Sequence, residues 1–350
     1  NSPNIVTVFN SLNIKPRLDE LKFNIKEFKI PGNNSQPLYP VYDTMRNVIW
    51  VGDTAIDSGR IFEFNITSNK YTEHKVNDTS IVTVMALDPK NQFLWYADPL
   101  MKHLGRYDPK THLNEVYKIP IEEFLPSGIA IDNSSNIWLT STRSNGILLK
   151  YNPQTNTFTS LRLPTTNATT LGITIDDLTG QIWVAEDVGK IANIDPTNNF
   201  KVTEYSPTGK NNMLKSPTGL LVDPITGNIY ISEHDGHAVS LFNPLLKTFK
   251  RFPSLNKNGL PFGMALDSYG NLWTAEHIIN KVAVIDPVTG LDKEVNIPTA
   301  SPFVQWITSD SKGNIWLAEQ RGNSLAMLSS IMNPSPQNPT TTQQQQQSGN

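Results

Sequence analysis

A unit of 43 to 47 residues returns seven times along the chain, and few folds tolerate that. Aligned on the aromatic residue of its second strand, the unit recurs at Trp50, Trp95, Trp138, Trp183, Tyr230, Trp273 and Trp316, at spacings of 45, 43, 45, 47, 43 and 43 residues. The clearest copy runs from Gly263 to Pro298. GMALD alternates and stops at a Ser-Tyr-Gly-Asn turn, LWTAE breaks at HIIN, KVAVID breaks at Pro-Val-Thr-Gly, and LDKEVNIP closes the unit. Pro, Gly, Asn and Asp fall where a chain must reverse, and β-branched and aromatic residues lie between them. Each copy reads as a four-stranded meander that cannot bury its faces alone. Seven such copies at this period match the blades of a β-propeller.

The text of the repeat is specific. Strand one reads GIAID (128–132), GITID (172–176), GLLVD (219–223) and GMALD (263–267). Strand three ends in Asp-Pro or Asn-Pro at 108, 152, 195, 243 and 286, and strand four ends at Pro120, Pro164, Pro207, Pro253 and Pro298. The seventh copy has three strands only, after which the chain turns polar. Phe23 to Pro31, FNIKEFKIP, resembles the fourth strands LNEVYKIP and FKVTEYSP. The N-terminal strand is therefore expected to complete the last blade, which removes the open edge of the ring. The expected fold is all-β, a seven-bladed propeller over 22–331, with an N-terminal arm (1–21) and a Pro/Thr/Gln-rich tail (332–350). Within the arm, IVTVF (5–9) reads as a short strand and PRLDEL (16–21) as one helical turn.

Charge is nearly balanced, 29 basic against 32 acidic residues, and the basic residues are scattered. Neither nucleic acid nor an anionic membrane is favoured as a partner. No apolar run reaches the length of a membrane span. Absence of cysteine excludes disulfides, a thiol nucleophile and thiolate metal sites. N-x-S/T sequons at Asn33, Asn65, Asn77, Asn133 and Asn167 all fall in expected turns or loops, and the tail from Asn333 has no apolar residue with which to order itself. Together they suggest an extracellular or cell-surface protein, with the tail a stalk leading to an anchor beyond Asn350.

Three residues after each aromatic marker stand Asp53, Asp98, Ser141, Glu186, Glu233, Glu276 and Glu319. Six acids at one end of strand two suit a carboxylate ring near the channel mouth, able to hold Ca²⁺ or Mg²⁺. They also suit a fold device, in which each acid accepts bonds from backbone amides of its own loop; recurrence in nearly every blade favours the device. Asp53, Asp98, Glu186 and Glu319, with His103, are the candidate ligand-binding residues. The histidines break the repeat. His103, His234, His237 and His277 are expected in the loops after strand two, on the face shared with the blade-to-blade connections, here termed upper. Blades five and six are neighbours, so Glu233, His234, His237, Glu276 and His277 are expected to cluster. Glu233, His234 and Glu276 are candidate ligands for a divalent cation (Mg²⁺, Ca²⁺, Zn²⁺ or Mn²⁺), and His237 and His277 candidate acid–base groups. Solvated loop histidines are the competing reading, since no HExxH spacing occurs. His74 and His112, near outer strands, read as surface residues. No G-x-S-x-G elbow, P-loop or G-x-G-x-x-G is present.

The strand pair G-[IM]-[AT]-[IL]-D…G-N-[IL]-W-x-[AT]-E, followed by N-K-[VI]-x-x-I-D, resembles the streptogramin (virginiamycin B) lyase family of seven-bladed propellers, over about residues 38 to 328. The resemblance implies opening of a macrocyclic ester by elimination, with Mg²⁺ held by glutamates and a histidine base. The family's Glu-x-His-Gly motif falls on Leu260, Pro261, Phe262 and Gly263, and its following glutamate on Glu276. The base position is thus Phe262 and the first ligand position Leu260, neither of which takes a proton or a metal. Two functions follow in order: a surface-displayed module binding a small molecule, glycan or protein on its upper face, and a metal-dependent lyase or lactone hydrolase. Blades five to seven carry no sequon, so that arc stays bare for a partner.

Overall fold

The turns after strands one and three are built from side chains that satisfy their own backbone. At the end of strand three, Asp108, Asn152, Asp195, Asn243 and Asp286 each accept a bond from the amide two residues on, at 2.8 to 3.0 Å. The turn then closes through a left-handed residue, His112, Asn156, Asn199, Lys247 or Gly290. At the end of strand one an aspartate does similar work and also reaches the marker tryptophan. Trp50, Trp138, Trp273 and Trp316 donate their indole N–H to Asp43, Asp132, Asp267 and Asp310 at 2.8 to 3.1 Å. These four buried indoles thereby keep a partner, whereas that of Trp95 finds none among the described residues.

The computed structural model describes residues 15–332, apart from 144, 210–213 and 254–255. These residues form seven four-stranded antiparallel sheets, at 37–75, 85–118, 126–162, 170–205, 217–253, 261–296 and 307–332 with 21–29. In the first six, strands pair in chain order. The seventh runs in the order N-terminal strand, third, second, first. A 3-10 turn at Leu18–Glu20 precedes it. The arm's first fourteen residues and the tail from 333, with the strand expected at 5–9, lie outside the described residues.

The marker aromatics hold the ring by packing forward. Trp316 sits with Ile49, Val51, Phe62 and Phe64 of blade one, Trp50 with Leu94 and Tyr96 of blade two, and Trp273 with Ile315 and Leu317 of blade seven. The closing strand, Leu21–Lys29, pairs residue for residue with Ser324–Met332, from Leu21 opposite Met332 to Lys29 opposite Ser324. This is the closure read from the sequence, begun two residues earlier. Its alternate faces serve two neighbours. The Phe23 ring meets Trp273 of blade six edge-on at 4.9 Å, while Phe28 lies 4.7 Å from Phe64 of blade one and 5.7 Å from Trp316.

Strand one faces the axis, and its first turn sets the bore of the channel. Gly128, Gly172, Gly219 and Gly263 are each the third residue of this strand in blades three to six. A Cβ on Gly172 would stand 2.2 Å from the carbonyl oxygen of Thr218 in the next blade, and one on Gly263 2.6 Å from that of Gln305. Backbone touches backbone there, so only glycine fits. Blades seven, one and two carry Trp306, Tyr39 and Val84 at the same position. Trp306 and Tyr39 meet at 5.0 Å, and with Val84 they project toward Gly128 and Gly172, leaving about 30 Å³ between. They plug the upper part of the channel. Below the plug a cavity of about 640 Å³ opens toward Asp177 and Leu178, walled by Val41, Met85, Ile173 and Met264.

Two expectations need correction. His74 is buried, at 8% exposure. Its Nε2 lies 2.8 Å from Glu63 and its Nδ1 2.8 Å from the Tyr107 hydroxyl, so a histidine of an outer strand is claimed by the next blade; His112, stacked on it at 5.5 Å, is exposed as expected. Asn65 is not in a loop: it is the last residue of strand Arg60–Asn65, half-buried, and its Oδ1 accepts from the amides of Thr67 and Ser68. Asn33, Asn77, Asn133 and Asn167 are exposed and outside strands. No helix among the described residues is long and apolar enough to cross a membrane.

Candidate functional site

In blades one, four, five and six the residue after the strand-two acid occupies one place. Its amide bonds a carbonyl at the entry to strand one: Thr54 to Gln36, Asp187 to Thr169, His234 to Ser216 and His277 to Leu260, at 3.0 to 3.1 Å. His234 and His277 are thus equivalent residues of adjacent blades, and their rings meet. His234 Nε2 lies 3.4 Å from His277 Nδ1. His234 Nδ1 lies 2.8 Å from Asp235 Oδ1, and the Gln305 amide donates to His277 Nε2 at 3.0 Å. One set of protons satisfies the chain. Gln305 donates to His277, His277 to His234, and His234 to Asp235. Burial, with His234 and Arg321 nearby, lowers the His277 pKa to about 4, so its ring is neutral at pH 7.

Aromatic rings complete this wall of the upper mouth. Phe262 lies 5.8 Å from His234, 5.1 Å from His277 and 5.0 Å from Trp306. Phe303 meets His277 at 4.5 Å, and the exposed Arg321 guanidinium stands 4.2 Å from the centre of the Phe303 ring. These rings are all half-buried. They form a shelf across blades five, six and seven that ends at the plug. Next to it, sharing Phe303 and Arg321, lies a groove of about 850 Å³ lined by Asn33, Gln36, Ile56 and Gln320. Tyr39, the other half of the plug, is half-buried, and desolvation pushes its phenol up to about 12.

The remaining candidates lie elsewhere. The turn at His237 is left-handed (φ 48°), and its Nδ1 bonds the Gly259 carbonyl at 2.7 Å. It does not join His234 and His277. His103 is the first residue of strand three, not part of the preceding loop, and its Nδ1 is buried without a partner among the described residues. Three of the strand-two acids, Asp53, Asp98 and Glu233, pin the connection entering their own blade. Asp53 accepts from the amides of Gln36 and Ala55 and from Arg60. Asp98 accepts from Ser80, Ile81, Leu100 and Met101. Glu233 accepts from the Lys215 amide at 2.8 Å and the Ser240 hydroxyl at 2.9 Å, and pairs with Arg251 at 3.1 Å. Glu276 lies against Glu294, which Lys281 also holds. Glu186 and Glu319 are fully buried, and among the described residues no donor reaches the oxygens of either. Burial first, then the neighbouring Glu204 or Glu27, raises both to about 8.

Mg²⁺ held as in the lyases needs several carboxylates converging beside a base. Among the described residues no three His, Asp or Glu side chains converge in that way. Glu233 is saturated by its own blade, and Phe262 fills the place of the base. The residues present do not fit the group there.

No protein-family model matches the sequence, and no curated protein matches it. Solved structures share the architecture. A streptogramin B lyase superposes with a TM-score of 0.75 at 18% identity, covering 88% of this chain and 98% of the other. A catalytically inactive virginiamycin B lyase from Staphylococcus aureus, solved with quinupristin, gives 0.78 at 18%, over 89% and 100%. The extracellular domain of a one-component system from B. thetaiotaomicron gives 0.68 at 17%, over 88% and 40%. At these identities the likeness is one of fold.

Proposed function

We propose that this propeller is an extracellular or cell-surface binding module, and that its ligand lies on the shelf formed by His234, Phe262, His277, Phe303 and Arg321. The observation that carries the reading is the state of the two histidines. Each ring nitrogen of His234 and His277 already faces an internal partner, so the rings offer faces and C–H edges rather than a free base. Three aromatic faces and a guanidinium suit a ligand with a flat apolar surface beside an acceptor or negative group, such as an aromatic carboxylate. The shelf also falls on the arc without sequons, so glycans on Asn33, Asn77 or Asn167 leave most of it uncovered. A neighbouring fold that serves as an extracellular domain agrees with this placement.

Titration of the tryptophan emission with aromatic carboxylates and with oligosaccharides tests the reading. Saturable binding is expected from the carboxylates, weakened about tenfold or more by Phe303→Ala or Arg321→Gln and unaffected by His237→Gln. Binding insensitive to both shelf variants sinks it. The second reading, ring opening by proton abstraction, draws on the Asp235–His234–His277 chain and on the lyase fold. Incubation with quinupristin and Mg²⁺ decides it: a new chromatographic species, lost in His277→Gln, favours the enzyme.

A further inference from the structure

Where a seam brings two acids together it also holds a fixed cation, except where the ring closes. In blade four, Thr165 donates its amide and hydroxyl to Glu204 at 2.8 and 2.7 Å, and Lys190, first residue of strand three, bonds Thr165 Oγ1 and Glu204 Oε2 at 2.8 Å each, beside Glu186. Blade one holds Arg60 between Asp53 and Glu73, at 2.7 and 3.5 Å. Blade six holds Lys281 on Glu294 at 2.5 Å, beside Glu276. Blade five replaces the second acid with Arg251, which pairs with Glu233 directly. Blades two and three carry no second acid: the strand-four position is Val116 or Ser160.

Blade seven keeps the arrangement, but among the described residues no cation is bonded to either acid. Thr299 donates its amide and hydroxyl to Glu27 Oε1 at 3.0 and 2.9 Å, as Thr165 does to Glu204. Glu319 stands where Glu186 stands, with zero exposure, and among the described residues no donor reaches either of its oxygens. The first residue of strand three is Ser324, and its hydroxyl turns to the Gly322 carbonyl. Lys29, the basic group that acts on Glu319, spends its ammonium on the same carbonyl at 2.9 Å. Gly322 leaves the space open, since a Cβ there would stand 2.6 Å from Glu319 Oε2.

We propose that a hard divalent cation of the calcium class occupies the place of the missing ammonium, held by the carboxylates of Glu319 and Glu27 and by Thr299 Oγ1. Two carboxylates match a double charge, and oxygen-only donors with an exposed Glu27 on the solvent side suit Ca²⁺, which tolerates irregular geometry and retained water; Mg²⁺ demands a stricter octahedron. Glu27 comes from the N-terminal closing strand, and Glu319 and Thr299 from the far end of the chain. The ion ties the first strand to the last blade. The site lies in the seam of blades six and seven and is independent of the shelf.

Calorimetric titration of the chelator-treated full chain with CaCl₂ tests the proposal. One Ca²⁺ per chain is expected, at about 10⁻⁴–10⁻³ M, the range of extracellular modules, with Mg²⁺ weaker. Ca²⁺ should also raise Tm by a few degrees at ~10 mM. Ser324→Lys restores the ammonium and should abolish the calcium response while keeping the fold. Glu319→Gln should weaken calcium at least about tenfold by removing one of two charges, and Glu186→Gln should not. Absence of saturable binding by the natural chain at ~10 mM overturns the proposal. So does binding that survives both Ser324→Lys and Glu319→Gln.

Discussion

Trp306 and Tyr39 meet at 5.0 Å across the junction of blades seven and one, where blades three to six place only glycine. The pair divides the ring into a side of large side chains and a side of bare backbone. Replacing both by alanine should remove the plug and join the upper mouth to the cavity below. Both rings are half-buried, so we expect a loss of about 1–3 kcal/mol in chemical unfolding, with m unchanged. Gly172→Ala, on the bare side, should cost a similar ~1–3 kcal/mol through overpacking, because its Cβ meets a backbone oxygen that no rotamer change can move.

Glu186 offers a stability test with a definite sign. Its carboxyl is raised from an ordinary 4.5 to about 8 in the fold, chiefly by burial. Between those values the folded chain binds a proton that the unfolded chain has released. Its contribution is therefore full below pH 4.5, falls as pH rises toward 8, and is flat above. Glu186→Gln should match the natural protein near pH 5 and exceed it by about 2–5 kcal/mol at pH 8.5, read from urea midpoints. Equal pH slopes in both proteins would contradict the assignment.

His277 should not titrate where histidines ordinarily do. Its pKa is lowered from 6.5 to about 4, so its ring C–H resonances should stay fixed from pH 8 to 5.5. The sign for stability is opposite to that of Glu186. The contribution is full above pH 6.5 and is lost as pH falls toward 4, when the unfolded chain takes up a proton first. Removing the His234 imidazole should raise the His277 value; a titration midpoint near 6.5 in the natural protein would refute the picture of a desolvated ring.

Phe28 bears on closure. It packs on Phe64 and Trp316 from the strand that joins the two ends of the ring. Phe28→Ala should cost about 3–5 kcal/mol and speed amide exchange along 324–328 before it does so in blade four. Uniform acceleration across all blades would mean that the ring opens elsewhere.

Much of this was legible in the residues. The turn chemistry at Asp-Pro and Asn-Pro marks the blades because those side chains bond their own backbone, whatever the neighbours are. FNIKEFKIP could be matched to a missing strand because strand four alternates in the same way in every blade. The meeting of His234 and His277 also followed from the repeat, since both stand four residues after an aromatic marker. His237 was misplaced with them because a left-handed turn residue carries its ring to Gly259, a rotation that spacing does not encode. Phe303, Gln305 and Arg321 escaped notice because they lie outside the regular strands, where length and path vary from blade to blade. Trp306 and Tyr39 left a signal that went unused: two bulky aromatics in a column of glycines. His74 misled because an outer strand reads as exposed, while Glu63 and Tyr107 cover it from the side.

Leu21 pairs with Met332, and from there the two strands run together toward the mouth. Residues 21 and 332 consequently sit together on the underside of the disc. The shelf of His277 and Phe303 looks the other way, so the two faces of the ring carry separate tasks: one gathers the seam that closes it, the other is left to contact.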